Sequence, residues 1–241
     1  MAIPRFYCPG PWSADHPVEL PETVVRHATS ALRLREGDAL ILFDGQGHEY
    51  PGILQREGKR LFALLGPGTT PPRESPLAIT LVQGISSGDR MDYTLQKAVE
   101  LGVNEIIPVF MKRSVVRLSD ERLARRHAHW QAIVVAACEQ CGRNHLPTVA
   151  APCDFDRWLE ARSDRLMLLL DPEAPNSLRT LTPPTGPVCL LAGPEGGFDP
   201  LEHRAAMACG ATGIRLGPRV LRTETAAVAA LAAMQVLWGD F

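Results

Sequence analysis

The sequence predicts a two-domain α/β protein, a small β-barrel followed by a mostly parallel sheet with helices on both faces. Three observations carry this prediction. The first seventy or so residues read as short apolar stretches between tight turns. A Pro- and Gly-rich segment, GPGTTPPRESP at 66–76, then interrupts the chain, and beyond it apolar runs alternate with helical periodicity. At 241 residues, 45% hydrophobic and 22% charged, the chain can build one large core or two modest ones.

In the first domain, DALILF, the turn DGQG, the run from Tyr50 to Leu54 and RLFALLG have the length and turn signals of strands. One helix interrupts them, starting near Pro21 and Glu22 and running through HATSAL, since proline suits a first turn and an acid suits its dipole. We place the domains at 1–72 and 73–241, because the Pro/Gly segment belongs inside no regular element.

The second domain reads in order as LAITLVQGI, a helix over about 89–101, EIIPVF, a long helix from about Asp120, RLMLLL, VCLLAG, a helix from Pro200, GIRLG and a last helix. Apolar strands separated by helices pair in parallel. Asp89 and Ser119 are candidate N-caps, and Asp199, Pro200 and Glu202 read as cap, first-turn proline and capping-box acid. Gly102, Gly142 and Gly210 close helices. In the long helix Leu123, His127, Trp130, Val134, Ala137 and Cys141 recur at helical spacing, leaving Arg122, Arg125, Arg126 and His129 mostly on the other face.

Composition narrows the function. The start, MAIPRFYCPG, lacks a basic region followed by an apolar stretch, and no segment reaches the roughly 18 apolar residues of a membrane helix, which predicts a soluble cytoplasmic protein. Six cysteines then read as reduced thiols. Cys138 and Cys141 form a lone C-x-x-C, and His127 and His129 do not share a helix face, so no metal site is expected. A net charge of -2 argues against nucleic-acid binding by bulk charge. Yet from Lys112 to Arg126 six basic residues face two acidic ones, as suits a phosphate-binding face or a solvated helix.

Ligands of open parallel sheets bind beyond the carboxyl ends of the strands. The loops there are DPEAPNS from Asp171, GPEGGFDP from Gly193 and GPRVLRTETA from Gly217, and each stops its strand abruptly. GPEGGF allows close backbone approach to a ligand and is neither a Walker loop nor G-x-G-x-x-G. Thr223 is the natural N-cap of the last helix, Glu224 suits its dipole, and Arg222 stands just before the cap. The small residues of AAVAALAAM suit close packing, against another element or a second subunit.

Together LAGPEGGF, LGPRVLRTETAA, DRMDYTLQKAVELGV and EQCGRNHLP resemble the bacterial small-subunit (16S) ribosomal RNA uridine-N3 methyltransferases of the SPOUT superfamily. RFY and RHATSALRLREGDALILFDGQG resemble that family's N-terminal PUA-like, RNA-binding barrel, so the likeness covers nearly the whole chain. It implies a SPOUT domain with a C-terminal trefoil knot, a homodimer, S-adenosyl-L-methionine as cofactor, and ribosomal RNA or an assembled 30S subunit as partner. The cofactor contacts it implies are Leu170, Leu191, Ala192, Gly193, Gly196, Gly197, Leu216, Gly217, Pro218 and Leu221. Arg222 is the expected stabiliser of the uridine anion, and Glu139 or Glu224 the expected base. Arg5, Arg33, Arg90, Arg125, Arg126 and Arg143 are the expected RNA contacts.

The chain departs from the family pattern where Cys141 replaces a serine and where Ser86 and Ser87 replace a basic residue. Two further readings remain open. One is a SPOUT enzyme for another RNA or for a ribose 2′-hydroxyl; the other is a non-catalytic RNA-binding or ribosome-assembly protein.

Overall fold

The computed structural model describes residues 3–14, 16–115, 120–161 and 166–241. They form two units, Met1–Glu74 with Val135–Leu146, and Ser75–Val134 with Pro147–Phe241. The division after Glu74 lies two residues past the expected boundary, and the end of the long helix belongs to the first unit rather than the second.

In the first unit β1 (Arg5–Tyr7), β2 (Pro17–Glu19), β3 (Ala39–Phe43), β4 (Glu49–Glu57) and β5 (Arg60–Leu65) form a sheet in the order β1-β3-β4-β5-β2. The strands β3, β4 and β5 are an antiparallel meander, and β1 lies parallel to β3. Alternate residues Leu40, Leu42, Leu61, Ala63 and Leu65 point into a core with Phe6, Leu20, Val24 and Ala28. The DGQG turn is held by Asp44, whose carboxylate accepts from the N–H groups of Gln46 (2.7 Å) and His48 (3.1 Å).

The expected first helix is only partly α-helical. It comprises α1 (Glu22–Arg26) continued by a π-helical turn, His27–Ala31. The Thr29 hydroxyl donates to the Val25 carbonyl at 2.8 Å, and the Leu32 N–H reaches back five residues to His27. Arg33, at φ 56, then ends the helix in the left-handed region.

In the second unit the elements are β6 (Ile79–Gly84), α2 (Gly88–Glu100), β7 (Glu105–Phe110), α3 (Asp120–Cys141), β8 (Thr148–Val149), β9 (Cys153–Asp154) and α4 (Phe155–Ala161). There follow β10 (Leu166–Leu170), β11 (Val188–Ala192), α5 (Pro200–Ala208), β12 (Thr212–Ile214) and α6 (Thr223–Trp238). The strands order as β12-β10-β11-β6-β7-β8, with β9 on β7, and every pairing is parallel. The central strands β6 and β11 are buried at every position, which is why they read as unbroken apolar runs.

The helix ends correct two expectations. Ser87, not Asp89, is the N-cap residue of α2, and Arg222, not Thr223, is that of α6. In both places the hydroxyl is drawn to a neighbouring loop instead of its own helix: Ser87 to Glu195, Thr223 to Gly193. Asp199 and Glu202 form the expected capping box, Pro200 opens α5, and Gly102, Gly142 and Gly210 have φ of 82°, 90° and 88°. Ser119 lies outside the described residues. After β12 at the sheet edge, the chain is tied to Asn176 by the Arg215 N–H, and α6 then packs on α2 and β11.

Candidate active site

The loops that follow β10, β11 and β12 enclose a cavity of about 890 Å³, within the usual range for small-molecule sites. Leu170 and Asp171 come from the first loop, Ala192 to Phe198 from the second, and Leu216, Gly217 and Arg219 to Thr223 from the third. Leu170, Ala192, Ile214 and Leu221 supply apolar wall, and Arg90, Arg113, Arg204, Arg219 and Arg222 supply charge.

The GPEGG loop is braced from two sides. Burial would push the Glu195 carboxyl up, but the Ser87 N–H (2.8 Å) and hydroxyl (2.7 Å) donate to it and Arg90 lies 3.3 Å away, so it stays below its ordinary value. Arg113 donates to the Gly196 carbonyl at 3.2 Å. A Cβ on Gly196 would sit 2.9 Å from the Arg113 Cβ and 3.1 Å from its carbonyl, and Gly197 has φ 68, so neither place accepts a side chain without strain. Across the cavity Asp171 and His203 approach to 3.1 Å, linking the β10 loop to α5.

Of the ten expected cofactor residues, Leu170, Ala192, Gly193, Gly196, Gly197, Leu216, Gly217 and Leu221 line the cavity. Leu191 is buried in the core, and Pro218 is exposed between two lining residues. Arg222 lines the cavity from an exposed position. Glu224 stands in the first turn of α6, outside that lining, and its Oε2 is buried with no hydrogen-bond partner among the described residues. Glu139 belongs to the first unit, where it accepts from the Tyr7 N–H at 3.0 Å and faces His27 at 3.4 Å; burial raises its carboxyl above the ordinary value.

The six expected RNA contacts also divide by setting. In the first unit Arg5 is half-buried and Arg143 buried, paired with Glu49 (2.7 Å) and Glu74 (2.5 Å). Arg33 and Arg125 are exposed, the latter 2.5 Å from Glu121. Arg126 is half-buried, and Arg90 joins the cavity wall. Cys141 is half-buried, and the Cys138 thiol is pushed up to about 12 by burial. His127 and His129 bond different partners, the Val149 carbonyl and Asp92, each at 2.8 Å.

Sequence reasoning missed Gln83, His203 and Arg204, and read Arg113 only as part of the basic run from Lys112 to Arg126. Gln83 is fully buried at the end of β6, and its amide donates to Gly84, Gly193 and Thr223. Nothing in a strand reading of LAITLVQGI marks it except a polar residue in a buried run.

A profile of the RNA methyltransferase domain matches residues 73–235, and one of the RNA methyltransferase PUA domain matches 20–64. The ribosomal RNA small subunit methyltransferase E of Buchnera aphidicola from Schizaphis graminum is 32% identical over 240 residues, covering 99% of this chain and 98% of the relative. That of Bacillus subtilis is 31% identical over 235 residues, 90% of each. Among solved structures, the Neisseria gonorrhoeae ribosomal RNA small subunit methyltransferase E bound to S-adenosyl methionine superposes with a TM-score of 0.93 at 43% identity, over 100% of both chains. A Legionella pneumophila methyltransferase in complex with SAM gives 0.96 at 37%, again over 100% of both.

Proposed function

We propose, for a chain that belongs to the ribosomal RNA small subunit methyltransferase E family, that it transfers the methyl group of S-adenosylmethionine to N3 of a uridine in small-subunit (16S) ribosomal RNA. The observation that carries this is the cavity at the ends of three parallel strands, where GPEGG presents backbone and Arg222 presents charge. Its apolar wall and glycine-rich rim fit an adenosine held by backbone groups, and its arginines and Asp171 fit the charged end of an amino acid. The bound cofactor supplies an activated methyl group. The chain's own residues align it with the acceptor, exclude water and hold the acceptor's charge.

Uridine N3 carries a proton and becomes nucleophilic as that proton leaves. In this reading Arg222, which lines the cavity, holds the resulting anion at O2 or O4. The proton goes to a carboxylate, and Glu224 and Glu139 are the two candidates, in different units. The pH dependence of Glu224→Gln and Glu139→Gln turnover decides between them: only loss of the base removes the acidic limb.

Because N3 lies on the pairing edge, the target is unpaired or flipped out. Arg33, Arg90, Arg125 and Arg126 have settings suited to phosphates, whereas Arg5 and Arg143 act through the fold. The resemblance also implies a knotted C-terminal segment and a homodimer. Val236, Leu237 and Phe241, exposed at the end of α6, support an apolar contact with a second copy. Among the described residues no helix is long and apolar enough to cross a membrane, in keeping with a cytoplasmic ribosomal substrate. Labelled S-adenosylmethionine mixed with the protein and unmodified small subunits tests the proposal: label enters their RNA and not large-subunit RNA. Equal labelling of both, or none, counts against it.

A further inference from the structure

We infer that Thr223, with Gln83 behind it, is a positioning residue that fixes Arg222 in the active site; the inference rests on the role proposed above for Arg222. Residues 217–220 are exposed, with Val220 at 82%, so the approach to Arg222 lies on the surface. The next residue is anchored. The Thr223 hydroxyl lies 2.5 Å from the Gly193 carbonyl, on the loop that forms another wall of the same cavity. The Ala226 N–H closes on the Arg222 carbonyl at 2.8 Å, so helix and anchor together set the arginine backbone.

Gln83 decides where that hydroxyl points. Its side chain is fully buried, and Nε2 lies 3.2 Å from the Thr223 oxygen and 3.3 Å from the Gly193 carbonyl. A hydroxyl has one proton and two lone pairs. With the amide N–H donated into a lone pair, the proton is left for Gly193, giving a directed chain from Gln83 through Thr223 to the cofactor loop. A threonine used as an ordinary helix cap would accept from its own helix instead, whereas among the described residues this hydroxyl bonds Gly193 and Gln83.

The test is a double-mutant cycle on the full-length protein, methylating unmodified small subunits, with thermal midpoints and S-adenosylmethionine affinity measured alongside. Thr223→Val is expected to lower kcat by on the order of 100-fold, as a misplaced group does, with the RNA KM little changed. In an Arg222→Ala background the same substitution should cost almost nothing, because the group it positions is gone. Thr223→Ser, which keeps the hydroxyl, should restore most of the rate. Gln83→Met should lower kcat in the wild-type background alone, and it carries the test with Thr223→Ser where the valine variant is unstable.

Equal losses with and without Arg222 would overturn the inference, as would a serine variant no better than valine. An Arg222→Ala protein with full activity would instead refute the role of Arg222 itself, a separate and recognisable failure.

Discussion

Arg222 and Glu49 show two uses of charge in this protein. Arg222 is exposed in the cavity, so its replacement leaves the fold intact. We expect Arg222→Ala to lower kcat by about 10²- to 10³-fold, the cost of losing one oxyanion donor, while calorimetry shows nearly unchanged cofactor affinity. Glu49 is mostly buried. Burial pushes its carboxyl up, but hydrogen bonds from Arg5 and Asn144, with Arg73 nearby, more than reverse this and hold it low. A depressed carboxyl stabilises the fold above its unfolded-state pKa, and that stability is lost as pH falls through its folded value. Wild-type stability should therefore decline on acidification below about pH 4.3, the unperturbed glutamate value, and Glu49→Gln should flatten the decline in urea melts. Arg5→Met, which removes the closest partner of Glu49 but leaves it Asn144 and Arg73, should cost about 1.5–3 kcal/mol at neutral pH.

Elements explain what the sequence could reveal and what it could not. GPEGG and LGPR marked the cavity rim because glycines at a strand end have few other reasons to cluster. Asp199, Pro200 and Glu202 marked α5 because capping is local chemistry. β1, β2, β8 and β9, of two or three residues each, carry too little periodicity to read, and α4 shows less than two turns of it. The caps expected at Asp89 and Thr223 lie at Ser87 and Arg222 instead, and the hydroxyls of Ser87 and Thr223 are held by tertiary partners that local sequence does not show. Gly84, inside β6, was invisible for the same reason. A Cβ there would lie 2.5 Å from the Pro194 nitrogen, so Gly84→Ala must displace the GPEGG loop. It should destabilise the protein by about 1–3 kcal/mol in thermal melts and weaken cofactor binding, where an exposed glycine without such a neighbour, Gly186, would not.

At the scale of the molecule, short runs between turn signals predicted the first sheet and apolar runs alternating with helices the second, whose parallel pairing follows from burial on both faces. Apolar periodicity could not divide α3 between two units, because the pattern continues past Val134 without a break. Nor could composition announce RNA binding at a net charge of -2; only the local distribution points there. If Arg125 and Arg126 meet phosphates, replacing both with alanine should weaken RNA binding and lower the slope of log affinity against log salt by about 1 for each phosphate no longer neutralised. A slope equal to wild type would remove the electrostatic part of the account.

The most direct measurement identifies the product. Small subunits lacking the modification are incubated with the protein and S-adenosylmethionine, and their RNA is digested to nucleosides for mass spectrometry against synthetic standards. The account predicts N3-methyluridine, formed about 10²- to 10³-fold more slowly by Arg222→Ala. A ribose-methylated nucleoside, a methyl on another base, or no methylated nucleoside despite bound cofactor would contradict it.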